Sequence, residues 1–272
     1  MFNEKGKEVV IIVRNITKYG TYVIMAIILA QLSDIAMWLV RYNSQPMPGF
    51  SQYVVRLFEG AARVQRGNQL EIPYEWLSIQ ILYMMGLCGM VSSDLGDNAG
   101  LMKICQRDRL YWWNGKIRSL FFYSVSYFLV LYGLIGLFVL FLGGKGIAYS
   151  NIWIQEYGNH SIFLYTLFCQ IVMECMICLV MGLLQLVLEI YTRSPFSVFV
   201  SFSLILLSIF PDACRYSFFK LTMFRWNYAR LWGIRKSWRG LLGILLPACV
   251  AGVVALVLYC IGRKKGRKIE FY

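Results

Sequence analysis

Six apolar runs dominate this chain of 272 residues: Tyr19–Val40, Trp76–Ser92, Leu120–Leu142, Ile162–Ile190, Phe196–Phe210 and Leu241–Ile261. A helix needs about 20 such residues to cross a hydrocarbon core of about 30 Å. With 58% of its residues hydrophobic and 15% charged, a water-soluble fold of this length has too little interior to hide them. The pattern predicts an all-α membrane protein with six transmembrane helices. Phe196–Phe210 is the shortest run, and Ile162–Ile190 is long enough to project beyond a bilayer.

Six spans place both termini on one side. Lys and Arg concentrate on the cytoplasmic side of membrane proteins. With the N-terminus inside, the inner segments hold 15 of the 27 Lys and Arg residues, and the outer segments hold 12. The basic stretch Arg263–Lys268 is the strongest inside marker. The expectation is a multi-pass protein of the cell membrane with cytoplasmic N- and C-termini. The net charge of +13 then belongs to loops that flank spans and meet lipid headgroups. No long soluble basic segment exists for nucleic acid to engage. The first eighteen residues are charged and mixed, so the first apolar run reads as a retained anchor.

Residues 1–18 contain an amphipathic stretch in which Val9, Val10, Ile12, Val13 and Ile16 share a face. This predicts an N-terminal helix lying in the membrane plane. The six-helix domain then covers 19–262, and 263–272 forms a basic tail. Two outer segments, 41–75 and 211–240, look interfacial. In the first, Phe50, Tyr53, Val54, Leu57, Phe58 and Ala61 follow helical spacing, with Arg56, Glu59, Arg63 and Arg66 among them. The second mixes Tyr216, Phe218, Phe219, Phe224, Trp226, Tyr228, Trp232 and Trp238 with seven cations, as in an aromatic belt.

Several chemistries are missing. No phosphate-binding G-x-x-x-x-G-K-[ST] loop occurs, and Gly143-Gly144-Lys145-Gly146 reads as a turn. His160 is the single histidine, which removes H-E-x-x-H metalloproteases, and there is no G-x-S-x-G elbow. Cys175 and Cys178 have pair spacing but lie mid-span with no second pair, so no metal site is assigned. Most of the eight cysteines act as small hydrophobes. No catalytic residue is assigned.

Polar groups within spans carry the remaining signal. Asp34 follows Gln31 by three residues on one face, and its expected partner is a cation of the outer segments. In the fourth run Thr166, Gln170, Glu174, Cys178, Gln185 and Glu189 step along one side of the helix. Two readings stand for this stripe: the wall of a translocation path, or hydrogen bonding between helices. A carboxyl at the depth of Glu174 requires a partner or a proton. Ser194, Ser197, Ser201 and Ser208 predict close helix contact with another subunit. Asp94, Gly96, Asp97 and Asn98 end the second span and cap the next helix.

The loop at 93–119, between runs two and three, holds Arg107, Arg109, Trp112, Trp113 and Lys116. With six runs, an amphipathic start, the Arg193-Ser194-Pro195 step, an aromatic outer segment and a basic tail, the chain resembles the permease subunit of type-2 ABC transporters. That group includes bacterial peptide and lantibiotic exporters. The resemblance implies a cytoplasmic coupling helix between spans two and three that docks into a separate cytosolic ATPase subunit. Leu101, Lys103, Ile104, Arg107, Arg109 and Trp112 would form the contact. ATP and Mg would sit on that subunit, and this chain would hold no cofactor. A second permease subunit, identical or not, would complete a dimer. The cargo would be an amphipathic peptide or lipid-like compound, exported or expelled, with Gln31, Asp34, Gln170, Glu174 and Gln185 along its path. Two alternatives stay open: an intramembrane enzyme using Asp34 or Glu174, and a non-transporting membrane anchor or sensor.

Overall fold

The computed structural model describes residues 27–37, 49–60, 72–92, 94, 109–142, 160–192, 194–209, 222–223 and 239–267. Among these residues the chain is all-helical, without strands. Seven helices follow one another: α1 (Ile27–Met37), α2 (Phe50–Leu57), α3 (Tyr74–Leu87), α4 (Arg109–Phe141), α5 (His160–Tyr191), α6 (Ser194–Ile209) and α7 (Arg239–Arg267). Each of the six apolar runs overlaps one of them, and α2 lies in the amphipathic stretch of the first outer segment. Two helices, Leu110–Phe141 and Leu167–Tyr191, are long and apolar enough to cross a membrane.

Local signals fix several boundaries. The α2 start is closed by Gln52, whose side chain accepts the Gly49 backbone N–H at 2.9 Å. Pro73 precedes the first turn of α3, where its missing N–H is no loss. The α3 end is a turn through Gly89, which adopts φ +83°, a left-handed value that favours glycine. The largest boundary difference from the sequence reading is at α4. The third apolar run starts at Leu120, yet the helix begins at Arg109. Its 33 residues rise about 50 Å, well beyond one hydrocarbon thickness. The extra turns carry Trp112, Trp113 and Lys116, residue types that do not register in an apolar window but suit a membrane rim.

Helix α5 is the hub. It packs against α3, α4, α6 and α7, while α3 also touches α4 and α6, and α4 touches α2 and α7. An aromatic seam runs between α3 and α4. Tyr83 meets Tyr123 at 5.5 Å and Tyr127 at 5.3 Å between ring centroids. The seam continues through Phe128 and Tyr132 to Phe50 and Phe58 beside α2. Tyr53 of α2 sets its ring edge-on to Phe138, and burial pushes its hydroxyl up to about 12.

Polarity is distributed inside out. Gln80, Ser124, Gln170, Glu174, Gln185 and Glu189 are buried, whereas Phe121, Phe122, Leu129, Leu137 and Leu140 of α4 and Val253 and Leu256 of α7 are exposed. Water favours the opposite arrangement, and contiguous apolar surface of this kind marks contact with lipid or another chain.

The serine face of α6 departs from expectation. Ser197, Ser201 and Ser208 are buried within the subunit, where α6 meets α3 and α5. Small side chains let those helices approach inside one bundle, so this face is not available to a second copy.

Candidate functional site

The polar stripe of α5 is answered, residue by residue, from α3 and from the short segment at 222–223. Gln170 donates to the backbone carbonyl of Thr222. The Thr222 hydroxyl accepts the indole N–H of Trp76 on α3 at 2.9 Å. One turn further along α5, Glu174 accepts from the Gln80 amide. The Cys178 thiol lies 3.3 Å from the Gln80 carbonyl oxygen and 3.8 Å from Glu174. Gln185 donates to the Met84 carbonyl at 3.1 Å. Glu189 accepts three backbone N–H groups from the turn after α3: Gly89 and Val91 at 2.9 Å, and Ser92 at 3.3 Å.

Gln170, Glu174, Gln185 and Glu189 are therefore brought together on one buried α3–α5 seam. Their geometry is that of hydrogen bonding between packed helices. The second carboxylate oxygen of Glu174 and the amide oxygen of Gln185 are buried with no hydrogen-bond partner among the described residues. Gln31 and Asp34 lie elsewhere. Gln31 bonds to Ser78 on the far side of α3, and Asp34 is exposed on α1. Among the described residues Asp34 forms no ion pair; most of the outer-segment cations expected to supply its partner lie outside them.

A second constellation forms at the end of the bundle where α3 and α5 finish and α4 begins. Asp94 takes two donors from the first turns of α4: the Trp112 indole N–H at 2.9 Å and the Lys116 ammonium at 2.8 Å. Lys116 also donates to the Met90 carbonyl. Trp113 is fully buried and lies against Gly262 of α7, where a Cβ would fall 2.2 Å from the ring. Only glycine admits that approach. Tyr259 of α7 donates to the Asn114 side chain at 2.9 Å, and Lys265 lies over the Tyr191 ring at 5.1 Å. The two roots of the 93–108 segment are thus tied to each other, and through Glu189 and Gly262 to α5 and α7.

Trp112 stands in this cluster, half-buried, and Arg109 is the first residue of α4. Leu101, Lys103, Ile104 and Arg107 lie outside the described residues, as do the N-terminal amphipathic stretch and most of 211–240. Sequence reasoning took Asp94 as a helix stop; its pairing with Lys116 joins residues 22 apart, a separation with no local signature. Gln80 was passed over because one amide in an apolar helix is inconspicuous. Its signal was there: a buried amide needs a partner, and Glu174 needed one too.

At the opposite end, Arg56 of α2 pairs with Glu59 at 2.5 Å and with Glu75 of α3 at 3.5 Å. These three residues border a cleft of ≈ 380 Å3. Among the described residues no cluster of His, Cys, Asp or Glu could hold a metal ion.

Compared with known families, curated proteins and solved structures, the chain matches none.

Proposed function

We propose that this chain is the six-span permease subunit of a transporter driven by a separate cytosolic ATPase. In this reading α1 and α3 to α7 cross the cell membrane, the Glu189 end of the bundle is cytoplasmic, and α2 lies on the outer face. The 93–108 segment leaves the cytoplasmic end and carries Leu101, Lys103, Ile104 and Arg107 to the ATPase. A second permease subunit completes the assembly, and the exposed apolar faces of α4 and α7 meet lipid.

The observation that carries the reading is the way the segment is rooted. A loop that receives force must pass it to several helices without yielding. Asp94, Trp112 and Lys116 join its two ends, Glu189 fastens the α3 end to α5, and Trp113 fastens the α4 end to α7. Displacing such a loop displaces α3, α4, α5 and α7 together. A loop that only fixed topology would need none of these ties. ATP and Mg would be bound by the partner, and the cargo would be an amphipathic peptide or lipid-like compound. An intramembrane enzyme acting through Glu174 has less support, because substrate would have to reach a fully buried side chain closed off by α3.

The test is charge reversal at the predicted docking surface. Arg107→Glu with Arg109→Glu should abolish co-purification of an ATPase while leaving the chain in the membrane. A partner retained at normal stoichiometry contradicts the assignment.

A further inference from the structure

The cleft between α2 and the start of α3 serves neither the α3–α5 seam nor the rooted loop. Arg56, Leu57, Glu59, Gly60, Ile72, Pro73, Tyr74, Glu75 and Trp76 line a volume of ≈ 380 Å3. This lies within the range of small-molecule sites. Three features of the lining define a chemistry. First, among the described residues two carboxylates face one guanidinium. Arg56 holds Glu59 at 2.5 Å but reaches Glu75 only at 3.5 Å, so Glu75 is the looser member. Second, aromatic rings stand beside the carboxylates: Trp76 as a buried wall and Tyr74 at the rim, 62% exposed. A carboxylate with aromatic faces is the chemistry that recognises organic ammonium groups. Third, Pro73 and Ile72, the latter 56% exposed, give an apolar surface for the body of such a ligand.

The cleft is also rigidly framed. Trp76 is anchored through its indole N–H to Thr222. Gly60, at φ +78°, brings its backbone against Met223, where a Cβ would fall 2.4 Å from the Met223 side chain. The walls come from two separate parts of the chain, 56–60 and 72–76, and are held by contacts to Thr222 and Met223 that a ligand need not disturb.

We propose that this cleft binds an organic ammonium group attached to an apolar body. Glu75 takes the charge, Tyr74 flanks it, and Pro73 and Ile72 receive the hydrocarbon. Binding stands on the lining alone; that the ligand is cargo rests on the transporter reading above.

The purified chain, in an uncharged maltoside detergent without any ATPase, is titrated with phenethylammonium and with its uncharged N-acetyl derivative. Binding is followed by calorimetry. The ammonium form should bind, and acetylation should weaken it by about tenfold or more. Glu75→Gln should weaken the ammonium form by a similar factor and leave the acetyl form unchanged. Tyr74→Ala, at an exposed rim position that does not support the fold, should weaken the ammonium form by about threefold or more. Equal affinity for the two probes, or binding of neither, overturns the proposal, as does Tyr74→Ala binding identical to the parent. If the ammonium binds as stated but an ATPase-containing assembly moves no amine, the cleft survives and its ligand is not cargo.

Discussion

Glu189 accepts the backbone N–H of Gly89 at 2.9 Å, across 100 residues of sequence. Its carboxylate, 1% exposed, also accepts from Val91 and Ser92. This fixes the turn from which the 93–108 segment departs. Hydrogen bonds to a carboxylate acceptor are the stronger kind, and removing the acceptor strands the buried Val91 N–H and takes the partner from the half-buried Gly89 and Ser92 N–H groups. Glu189→Ala should cost about 2–4 kcal/mol of stability. Amide exchange at Gly89, Val91 and Ser92 should accelerate selectively, as measured by mass spectrometry in detergent. Glu189→Gln keeps one acceptor oxygen and turns the other into a donor, so it should recover part of the protection.

The Gln80–Glu174 pair makes an asymmetric prediction. Gln80→Leu leaves a fully buried carboxyl without its amide partner and should destabilise by about 1–3 kcal/mol. Replacing both residues by leucine removes the need along with the partner, and should cost less than the single change. Thermal unfolding of the single and double variants in one detergent checks the order. A double variant worse than the sum of the singles would contradict the pairing.

Asp94 is one-third exposed, so its bond to Lys116 should contribute little stability, about 0.5–1 kcal/mol. Asp94→Asn and Lys116→Met should therefore fold normally. Their effect should fall on coupling: ATP hydrolysis by the assembled complex should continue while transport per ATP declines. Equal losses in both activities would point to assembly rather than transmission.

Tyr53 buries a hydroxyl that has no hydrogen-bond partner among the described residues. Tyr53→Phe keeps the ring contact with Phe138 and removes the unsatisfied group. Stability should be unchanged or higher by up to about 1 kcal/mol, whereas Tyr53→Ala should cost about 3–5 kcal/mol. Chemical denaturation of the two variants separates packing from polarity at this position.

The helices were legible in the sequence because apolar runs announce themselves, and α2 was legible from the spacing of Phe50, Tyr53, Val54 and Leu57. The stripe on α5 was visible for the same reason. What it would face was not, because its partners are mostly backbone groups: the Met84 carbonyl and the Gly89 and Val91 amides carry no sequence signature. The first turns of α4 were hidden because Arg109 to Ser119 is too polar for a hydropathy window, although α-helix geometry tolerates it at a membrane rim. The serine face of α6 was read as a contact between copies because small residues mark close approach without saying to whom. Thr222 and Trp76 meet across 146 residues, a contact set by the fold as a whole.

The central claim is that force reaches this bundle from a separate ATPase through the segment rooted at Asp94 and Trp112. The most direct test is affinity purification of the tagged chain from its native membrane, with mass spectrometry of the eluate and an assay of its ATP hydrolysis. The account predicts a phosphate-loop ATPase at about equal stoichiometry with the permease subunits, its hydrolysis lost when Arg107 and Arg109 are reversed to glutamate. Purification of the chain with no ATPase under conditions that preserve membrane complexes would contradict it.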